Sequence, residues 1–357
     1  HVVRTLQNAI ASERIAHSYL FTGPRGTGKT STARLLAKAL CCETGPTAEP
    51  CNTCETCVSI TEGSHVDVVE MDAASESGVE DVRGSIVEVA EYRPAIARYK
   101  VFIIDEVHDL SAKAFDALLK TIEEPPAHLI IILATTEFHK VPPTIRSRCQ
   151  KFEFHRGSVQ DLEGRLRFVA EGEGADIEPA ALTALARMAD GGYRDALTLL
   201  EQAILSAEGA VTLDHVYDQL GLIADDTVDA LLFAMRDADV SSLLEQLNEL
   251  ARRGRDPRAV LESMLYRLAD LTRAAYGLDT GATADAAREA ATRDAAVRVG
   301  RDRLLSLRAA LANAHKELRD ITLPRLWLEA ELVRLATAKD APAAAVVAAP
   351  QGVAESR

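Results

Sequence analysis

The chain has 357 residues, of which 47% are hydrophobic and 26% are charged, and its formal net charge is −14. This length allows two or three domains with separate cores. The acidic balance excludes a chain covered with basic surface for nucleic acid, so any DNA contact must come from a local patch or an assembly. No run of 18 apolar residues, signal peptide or lipidation motif is visible, so no membrane partner is expected. Because the sequence opens at His1 inside a helical pattern, we expect a fragment without its natural start.

Five β-rich runs alternate with helical segments in the first part of the chain. The runs are SYLFTG (18–23), VDVVEMD (66–72), KVFIID (100–105), LIIILATT (129–136) and KFEF (151–154). Their continuously apolar parts, VFIID and LIIIL, are typical of strands that are buried on both faces of a parallel sheet. Between them, the segment 111–123 has Ser111 as a cap, one apolar stripe, and Pro125 beyond its end. The sequence therefore predicts an α/β domain with a parallel sheet over residues 1–156.

The strand signal vanishes after this domain. Residues 157–222 predict a small helical group with helices at 158–171, 179–189, 194–207 and 213–220, and residues 223–338 predict a second, longer helical domain. The apolar stripes of the second domain contain Leu243, Leu244, Leu247, Leu250, Val260, Leu261, Met264, Leu265 and Leu268. The Ala/Pro-rich residues 339–357 predict an unfolded linker.

A phosphate-binding motif stands at the junction between the first strand and the following helix. GPRGTGKT at 23–30 matches G-x-x-x-x-G-K-[ST] in the context that this motif requires. Its glycines allow backbone N–H groups to face phosphate oxygens, and the helix adds its positive dipole end. Lys29 would reach the β- and γ-phosphates, and the Thr30 hydroxyl would hold Mg²⁺; a chance glycine turn is the alternative. The predicted nucleotide-binding residues here are Gly23, Gly26, Thr27, Gly28, Lys29, Thr30 and Ser31.

An acidic pair follows the third β-rich run, in VFIIDEVH. Asp105, at the end of a buried strand, can hold Mg²⁺ through water, and Glu106 is then placed to orient and polarise the water that attacks the phosphate. The alternative is that the pair caps the next helix. Thr136 ends the neighbouring run and can bond the γ-phosphate or the water, although a threonine at a strand end is by itself more often only a β-former.

Four of the six cysteines occur as Cys42-x₈-Cys51-x₂-Cys54-x₂-Cys57. Two closely spaced C-x₂-C steps suit tetrahedral Zn²⁺, and four protein ligands indicate a closed structural site. The intervening ETGPTAEP is too poor in apolar residues to fold by burial, so metal ligation would replace a core. The alternatives are four buried or reactive thiols, or Cys41 in place of Cys42. Cysteines at this spacing fit a reducing cytosol better than a disulfide scaffold.

The motifs together resemble one family. GPRGTGKTS, the four-cysteine insertion, IIDEVHDLSAKAFDALLKTIEEPP, LATTE, KVPPTIRSRCQKFEF and GGYRDAL follow one another in the order found in the tau/gamma subunits of bacterial DNA polymerase III clamp loaders, which are AAA+ ATPases. The resemblance covers residues 1–335. It implies ATP hydrolysis with Mg²⁺, a structural zinc module, and a cytoplasmic role at replication forks. Such subunits are commonly classed with the holoenzyme as DNA-directed DNA polymerase, although no polymerase site is visible in this chain.

The resemblance also implies roles that spacing does not give. Arg148 in SRC would act in trans on the γ-phosphate of an adjacent subunit, and Arg194 in GGYRDAL would reach the nucleotide from a helical lid at 157–222. Residues 223–338 would form the collar through which subunits assemble, and Lys113 is a candidate for DNA contact. The alternatives are solvated surface charges for Arg148 and Lys113, and an ion pair with Asp195 for Arg194.

The implied partners are the delta and delta-prime subunits, further tau/gamma copies, the sliding clamp and primer–template DNA. Three other functions stay open. A delta-prime-like scaffold would not hydrolyse ATP, but it has no use for Lys29, Thr30, Asp105 and Glu106. A branch-migration helicase motor would not be expected to carry the cysteine insertion or SRC. A switch that binds ATP and never hydrolyses it is the third.

Overall fold

The computed structural model describes residues 1–278 and 286–338, so the predicted linker at 339–357 lies outside the described residues. The chain divides into two compact units. The first contains His1–Leu166 and Ala186–Leu199, and the second contains Arg167–Leu185 and the described residues from Leu200 onward. The predicted domain boundaries at 156 and 222 stay predictions, because this division assigns parts of 159–206 to both units.

The first unit is built on a five-stranded parallel sheet, whose strands are β1 Ser18–Thr22, β2 Val68–Asp72, β3 Lys100–Asp105, β4 Leu129–Thr135 and β5 Gln150–Glu153. Their order across the sheet is β2-β3-β4-β1-β5. Every residue of β4 is buried, as are the first five of β3. The two continuously apolar runs thus form adjacent central strands, which confirms the predicted parallel sheet.

Successive side chains of the central strands enter opposite faces of the sheet. In β3, Val101 and Ile103 join one apolar cluster, whereas Phe102 and Ile104 join another. This alternation follows from the two-residue period of a strand. The helices of this unit up to β5 are α1 Val2–Ala11, α2 Lys29–Cys41, α3 Glu55–Glu62, α4 Val79–Val82, α5 Glu88–Ala90, α6 Ala112–Glu123 and α7 Pro143–Arg146. Helices α1 and α2 contribute to the first cluster, and α4 to α6 cover the other face of the sheet.

Only helices and turns follow β5 in the described residues, apart from one isolated bridge between Ile177 and Val211. The helices are α8 Val159–Glu173, α9 Pro179–Met188, α10 Tyr193–Ser206, α11 Leu213–Gln219, α12 Asp225–Arg236, α13 Val240–Arg252, α14 Pro257–Ala275, α15 Ala286–Val299, α16 Arg301–Glu317 and α17 Pro324–Thr337. The sequence placed the first four within two residues of these ends. No helix among the described residues is long and apolar enough to span a bilayer.

A buried ion pair lies inside the helical core of the second unit. Arg267 of α14 donates to both carboxylate oxygens of Asp229 of α12, at 2.7 and 2.6 Å, and to the Thr292 hydroxyl at 3.0 Å. The two charged residues are 5% and 8% exposed. Water is therefore largely excluded, and the guanidinium depends on its protein partners.

Replacing Asp229 with Ala is expected to lower the free energy of unfolding of this core by up to about 3–5 kcal/mol, because it removes both short hydrogen bonds to a buried charge and leaves Arg267 only the longer ion pair with Asp225, at 3.6 Å. Trp327, the only tryptophan in the sequence, packs against the same core. Its fluorescence during urea unfolding therefore reports on this region. Asp237→Ala is the control, since Asp237 pairs with Arg236 at the surface, and such a pair contributes about 0–1 kcal/mol. Equal effects of the two substitutions would contradict the expectation.

Candidate functional site

The loop between β1 and α2 takes a backbone path that requires glycine. Gly23, Gly26 and Gly28 have φ values of 147°, 75° and 92°. At Gly23 a Cβ atom would lie 2.2 Å from the Phe154 carbonyl oxygen, so no other residue fits there without a shift of the backbone. Gly28 is the N-cap of α2 in a left-handed conformation. The predicted phosphate loop therefore has the curled backbone that its sequence indicates.

Lys29 is the first residue of α2, and its side chain turns back over this loop. Its ammonium donates to the carbonyl oxygens of Gly23 and Pro24, both at 2.9 Å, and the residue is buried. Burial lowers the pKa of Lys29 from its ordinary value, the carboxylates of Glu106 and Asp105 oppose this, and Arg194 adds to the lowering. The electrostatic environment of Lys29 thus includes three other predicted site residues.

The start of α2 meets the end of β3. The Thr30 hydroxyl donates to Asp105 Oδ2, and the other carboxylate oxygen of Asp105 accepts from the Glu106 N–H at 2.9 Å. A hydroxyl and a carboxylate in contact at a helix start offer the hard oxygen ligands that Mg²⁺ prefers. The two residues predicted to hold the metal are thereby brought together, although they are 75 positions apart in the chain.

Glu106 and Thr136 are held together by two hydrogen bonds. Glu106 has a left-handed backbone, with φ 44°, and its Oε2 accepts from Thr136 N at 3.0 Å and Thr136 Oγ1 at 2.9 Å. Because the Thr136 N–H bonds this carboxylate, β4 ends at Thr135 and not at Thr136 as predicted. The carboxylate predicted to activate water and the threonine predicted to contact it are therefore neighbours.

The remaining residues that the sequence predicts to bind nucleotide occupy different environments. The N–H groups of Tyr193 and Arg194, at the start of α10, donate to the Gly26 carbonyl oxygen at 2.9 and 3.3 Å. Arg194 is therefore joined to the phosphate loop through its backbone, and the described residues show no ion pair between Arg194 and Asp195. The Thr27 hydroxyl donates to Pro24 O at 2.8 Å, and Ser31 is exposed on the first turn of α2.

Arg148 and Lys113 are not brought to the phosphate loop. Arg148 donates to Glu123 Oε1 at 2.6 Å and to Thr144 O at 2.8 Å, and its side chain is 39% exposed. Lys113 is exposed on the first turn of α6. Both positions are open to a second molecule, and their roles in trans and in DNA contact stay predictions.

The four predicted zinc ligands converge. The Sγ atoms of Cys42, Cys51, Cys54 and Cys57 all lie within 4.8 Å of one another, and those of Cys42 and Cys51 are 3.6 Å apart. A tetrahedral site with Zn–S bonds of about 2.3 Å requires sulfur–sulfur distances of about 3.8 Å, so the set fits zinc.

Local backbone geometry favours a thiolate at Cys51, whereas burial and the neighbouring thiols raise the pKa of Cys57 to about 12. The N–H groups of Thr53 and Cys54 lower the pKa of the Cys51 thiol to about 6, and Cys54 N lies 3.3 Å from Cys51 Sγ. Cys57 N donates in the same way to Cys54 Sγ at 3.4 Å. Cys41 is outside the cluster, since its thiol contacts Tyr99 O at 3.6 Å and burial raises its pKa to about 12. Of the two adjacent cysteines, the structure therefore selects Cys42.

The purified chain is expected to contain about one zinc per molecule, since four thiolates complete a closed coordination shell. Changing Cys51 and Cys54 together to Ser should abolish the zinc and make residues 42–57 sensitive to protease, because this segment has little apolar core. Metal analysis and limited proteolysis measure both effects. Cys149→Ser is the matched control, since Cys149 is absent from the cluster. Retention of stoichiometric zinc by the double variant would contradict the assignment.

Sequence reasoning missed His108 and Thr135, which lie beside Glu106. Thr135 Oγ1 is 3.0 Å from His108 Nδ1, and this nitrogen is 3.4 Å from Glu106 Oε2. The signal was present in VFIIDEVH, where a histidine follows the acidic pair by two residues. Its position was informative only once β3 and β4 were known to be adjacent.

Three family profiles match the chain in succession. DNA polymerase III, delta subunit, matches residues 1–158; the ATPase lid domain of a DNA polymerase III clamp loader subunit matches 161–209; and domain III of DNA polymerase III subunits gamma and tau matches 211–348. The parallel-sheet domain, lid and following helical domain thus occur in the order predicted from the sequence.

Whole-chain comparisons give the same family. The chain is 42% identical over 337 residues to DNA polymerase III subunit tau of Bacillus subtilis, covering 94% of the chain and 60% of that relative. It is 40% identical over 265 residues to DNA polymerase III subunit gamma of Buchnera aphidicola, covering 74% of the chain and 73% of the relative. It spans only 44% of DNA polymerase III subunit tau of Escherichia coli, to which it is 46% identical over 79% of its own length.

A solved structure, the RuvB Holliday junction branch migration motor of Thermotoga maritima, aligns with a TM-score of 0.46 and 18% identity, over 70% of this chain and 78% of that one. This likeness is too distant to support an argument about function. The identities over most of the chain and the succession of the three profiles are decisive. The chain belongs to the tau/gamma family of DNA polymerase III clamp-loader subunits.

Proposed function

We propose that the chain is the ATP-hydrolysing motor subunit of a DNA polymerase III clamp loader, acting in the cytoplasm at replication forks. ATP binding would favour the ring arrangement that grips an opened sliding clamp and primer–template DNA, and hydrolysis would remove that preference and release the closed clamp. The polymerase classification would belong to the holoenzyme, because no residue of this chain is assigned to nucleotide polymerisation. The lid at 157–222 and the collar at 223–338 are part of this proposal.

One observation carries the proposal, namely the contact of Thr30 with Asp105 beside the pairing of Glu106 with Thr136. Thr30 and Asp105 would hold Mg²⁺, which would neutralise charge on the β- and γ-phosphates. Lys29 would bind the same phosphates as a point charge, and the loop from Gly23 to Gly28 would bind them through backbone N–H groups.

Glu106 would accept a proton from the attacking water while Thr136 orients its carboxylate. Arg194 would contact the nucleotide from the lid, and Arg148 of an adjacent copy would stabilise the charge that develops on the γ-phosphate. A chain that only scaffolds a complex needs none of these proton-transfer or charge-stabilising groups. This favours the motor over the delta-prime-like scaffold and over a switch that never hydrolyses ATP.

The expected partners are delta, delta-prime and further tau/gamma copies, together with the sliding clamp and primed DNA. Zinc at the four cysteines would stabilise the insertion after α2 and would take no part in hydrolysis, because all four coordination positions are filled by protein. Because the net charge of the chain is −14, we expect DNA to be contacted by the assembled ring and not by a broadly basic surface of this subunit. Lys113 is the candidate in this chain.

The test uses the full-length protein mixed with the other loader subunits, the clamp and primed DNA, with phosphate release as the readout. Stimulation that needs every component is the expected result. A Lys29→Ala variant that changes neither ATP binding nor clamp loading would favour the scaffold. Unwinding of branched DNA in the absence of any clamp would favour the branch-migration motor.

A further inference from the structure

The imidazole of His108 lies in a polar cluster next to Glu106. His108 belongs to the short 3₁₀ turn Val107–Asp109 that follows β3, and its side chain is only 7% exposed. Its Nδ1 lies 3.0 Å from Thr135 Oγ1 and 3.4 Å from Glu106 Oε2. A hydrogen on Nδ1 would therefore lie between the end of β4 and the carboxylate that follows β3.

The Nε2 edge of the imidazole also lies close to carboxylate oxygens. Nε2 lies 3.4 Å from Glu137 Oε1 and 3.6 Å from Asp109 Oδ1. Whichever ring nitrogen carries the hydrogen thus has an oxygen acceptor within reach. A buried imidazole with polar partners on both edges is fixed in orientation by them, as well as by its packing.

These contacts close a network around Glu106. Thr135 Oγ1, which contacts the ring, also accepts the N–H of Glu137 at 3.0 Å. The next residue, Thr136, donates twice to Glu106 Oε2. One oxygen of the Glu106 carboxylate, Oε2, is therefore linked to residues 135–137 in two ways, directly through Thr136 and indirectly through His108, which contacts Thr135. The left-handed φ of 44° at Glu106 is the kind of strained backbone that persists only where surrounding contacts hold it.

We propose that His108 is a positioning residue for Glu106. The inference rests on the proposed ATP hydrolysis and deepens it. His108 makes no contact with the nucleotide, and it acts by fixing the Glu106 carboxylate against the end of β4. Loss of the ring nitrogens frees the carboxylate to turn away from the water. A displacement of about 1 Å in a reacting group lowers rates by about 10²-fold, so the rate constant should fall without a matching change in ATP affinity.

Two substitutions separate this role from a structural one. His108→Phe keeps the volume of the ring and removes both nitrogens. His108→Asn places an amide nitrogen one bond beyond Cγ, where Nδ1 lies, and so restores a donor towards Glu106 and Thr135. Both are made in the full-length chain, assembled with the other loader subunits, clamp and primed DNA. The readouts are kcat and KM for phosphate release, the dissociation constant of a fluorescent ATP analogue, and the unfolding temperature.

His108→Phe is expected to lower kcat by about 10-fold to 10²-fold, with the dissociation constant unchanged, and His108→Asn is expected to recover most of the loss. His128→Phe is the matched control. His128 stands just before the first residue of β4, and its imidazole contacts Ala90 O at 3.2 Å. His108 instead contacts Thr135, the last residue of that strand. His128→Phe should leave kcat unchanged.

Two results overturn the inference alone. One is an unaltered kcat in His108→Phe. The other is a lower kcat in both His108 variants that is accompanied by weaker ATP binding and a lower unfolding temperature. That result would indicate a structural role only. An unmodified assembly that releases no phosphate contradicts the proposed function itself and removes the basis of the inference with it.

Discussion

Replacing Glu106 with Gln is expected to lower the kcat of ATP hydrolysis by about 10²–10⁴-fold, the usual contribution of a positioned general base. The amide has nearly the same shape as the carboxylate, and its oxygen can still accept from Thr136 N and Oγ1, which bond Glu106 at 3.0 and 2.9 Å. The loop and the ATP contacts should therefore survive. Only the ability to take a proton from water is lost.

The measurement is phosphate release by the assembled complex, together with the dissociation constant of a fluorescent ATP analogue. Glu91→Gln, at an exposed position, is the control for the chemical change itself. Because hydrolysis is proposed to release the clamp, the Glu106→Gln complex should remain bound to clamp and DNA in the presence of ATP. Wild-type turnover in this variant would show that another group activates the water.

Replacing Arg148 with Ala is expected to lower kcat by about 10³–10⁵-fold in the assembled ring, as for other arginines that act on a neighbour's γ-phosphate. In the single chain the guanidinium pairs with Glu123 at 2.6 Å and is 39% exposed. A partly exposed pair of this kind stabilises the fold by about 0–1 kcal/mol. The variant should therefore fold normally and bind ATP with unchanged affinity.

Mixing variants tests whether the arginine acts in trans. Copies with Lys29→Ala keep Arg148, and copies with Arg148→Ala keep a complete phosphate loop, so mixed rings should recover part of the activity that each variant lacks. Arg93→Ala, at another exposed position, is the control. Normal hydrolysis by a ring composed only of Arg148→Ala copies would show that Arg148 is a solvated surface charge with no role in hydrolysis.

The local features of the site were readable from the sequence because each is encoded in a few adjacent residues. The phosphate-binding motif occupies eight consecutive positions, and the spacing of the four cysteines indicates a tetrahedral metal site. The two apolar runs that became β3 and β4 were recognisable because burial on both faces removes polar residues altogether. Their adjacency then brought Asp105, Glu106 and Thr136 to one edge of the sheet.

Contacts between distant segments were not predictable in this way. The close approach of Phe154 O to Gly23 and the pairing of Arg267 with Asp229 join positions 131 and 38 apart. The fixation of Glu106 by Thr136 and His108 depends on which strands are neighbours, and a single histidine carries no spacing signal. Arg148 was identified only through resemblance, because an arginine that acts on another copy looks like any surface charge in its own chain.

The most direct test of the account is a structure of the assembled loader with ATP analogue and Mg²⁺ bound. The account predicts that Lys29 Nζ lies within hydrogen-bonding distance, about 3 Å, of a β- or γ-phosphate oxygen. It also predicts that Thr30 and Asp105 face the metal, and that the guanidinium of Arg148 from an adjacent copy reaches the same γ-phosphate. A nucleotide bound away from residues 23–30, or an Asp105 carboxylate remote from its metal, would contradict it.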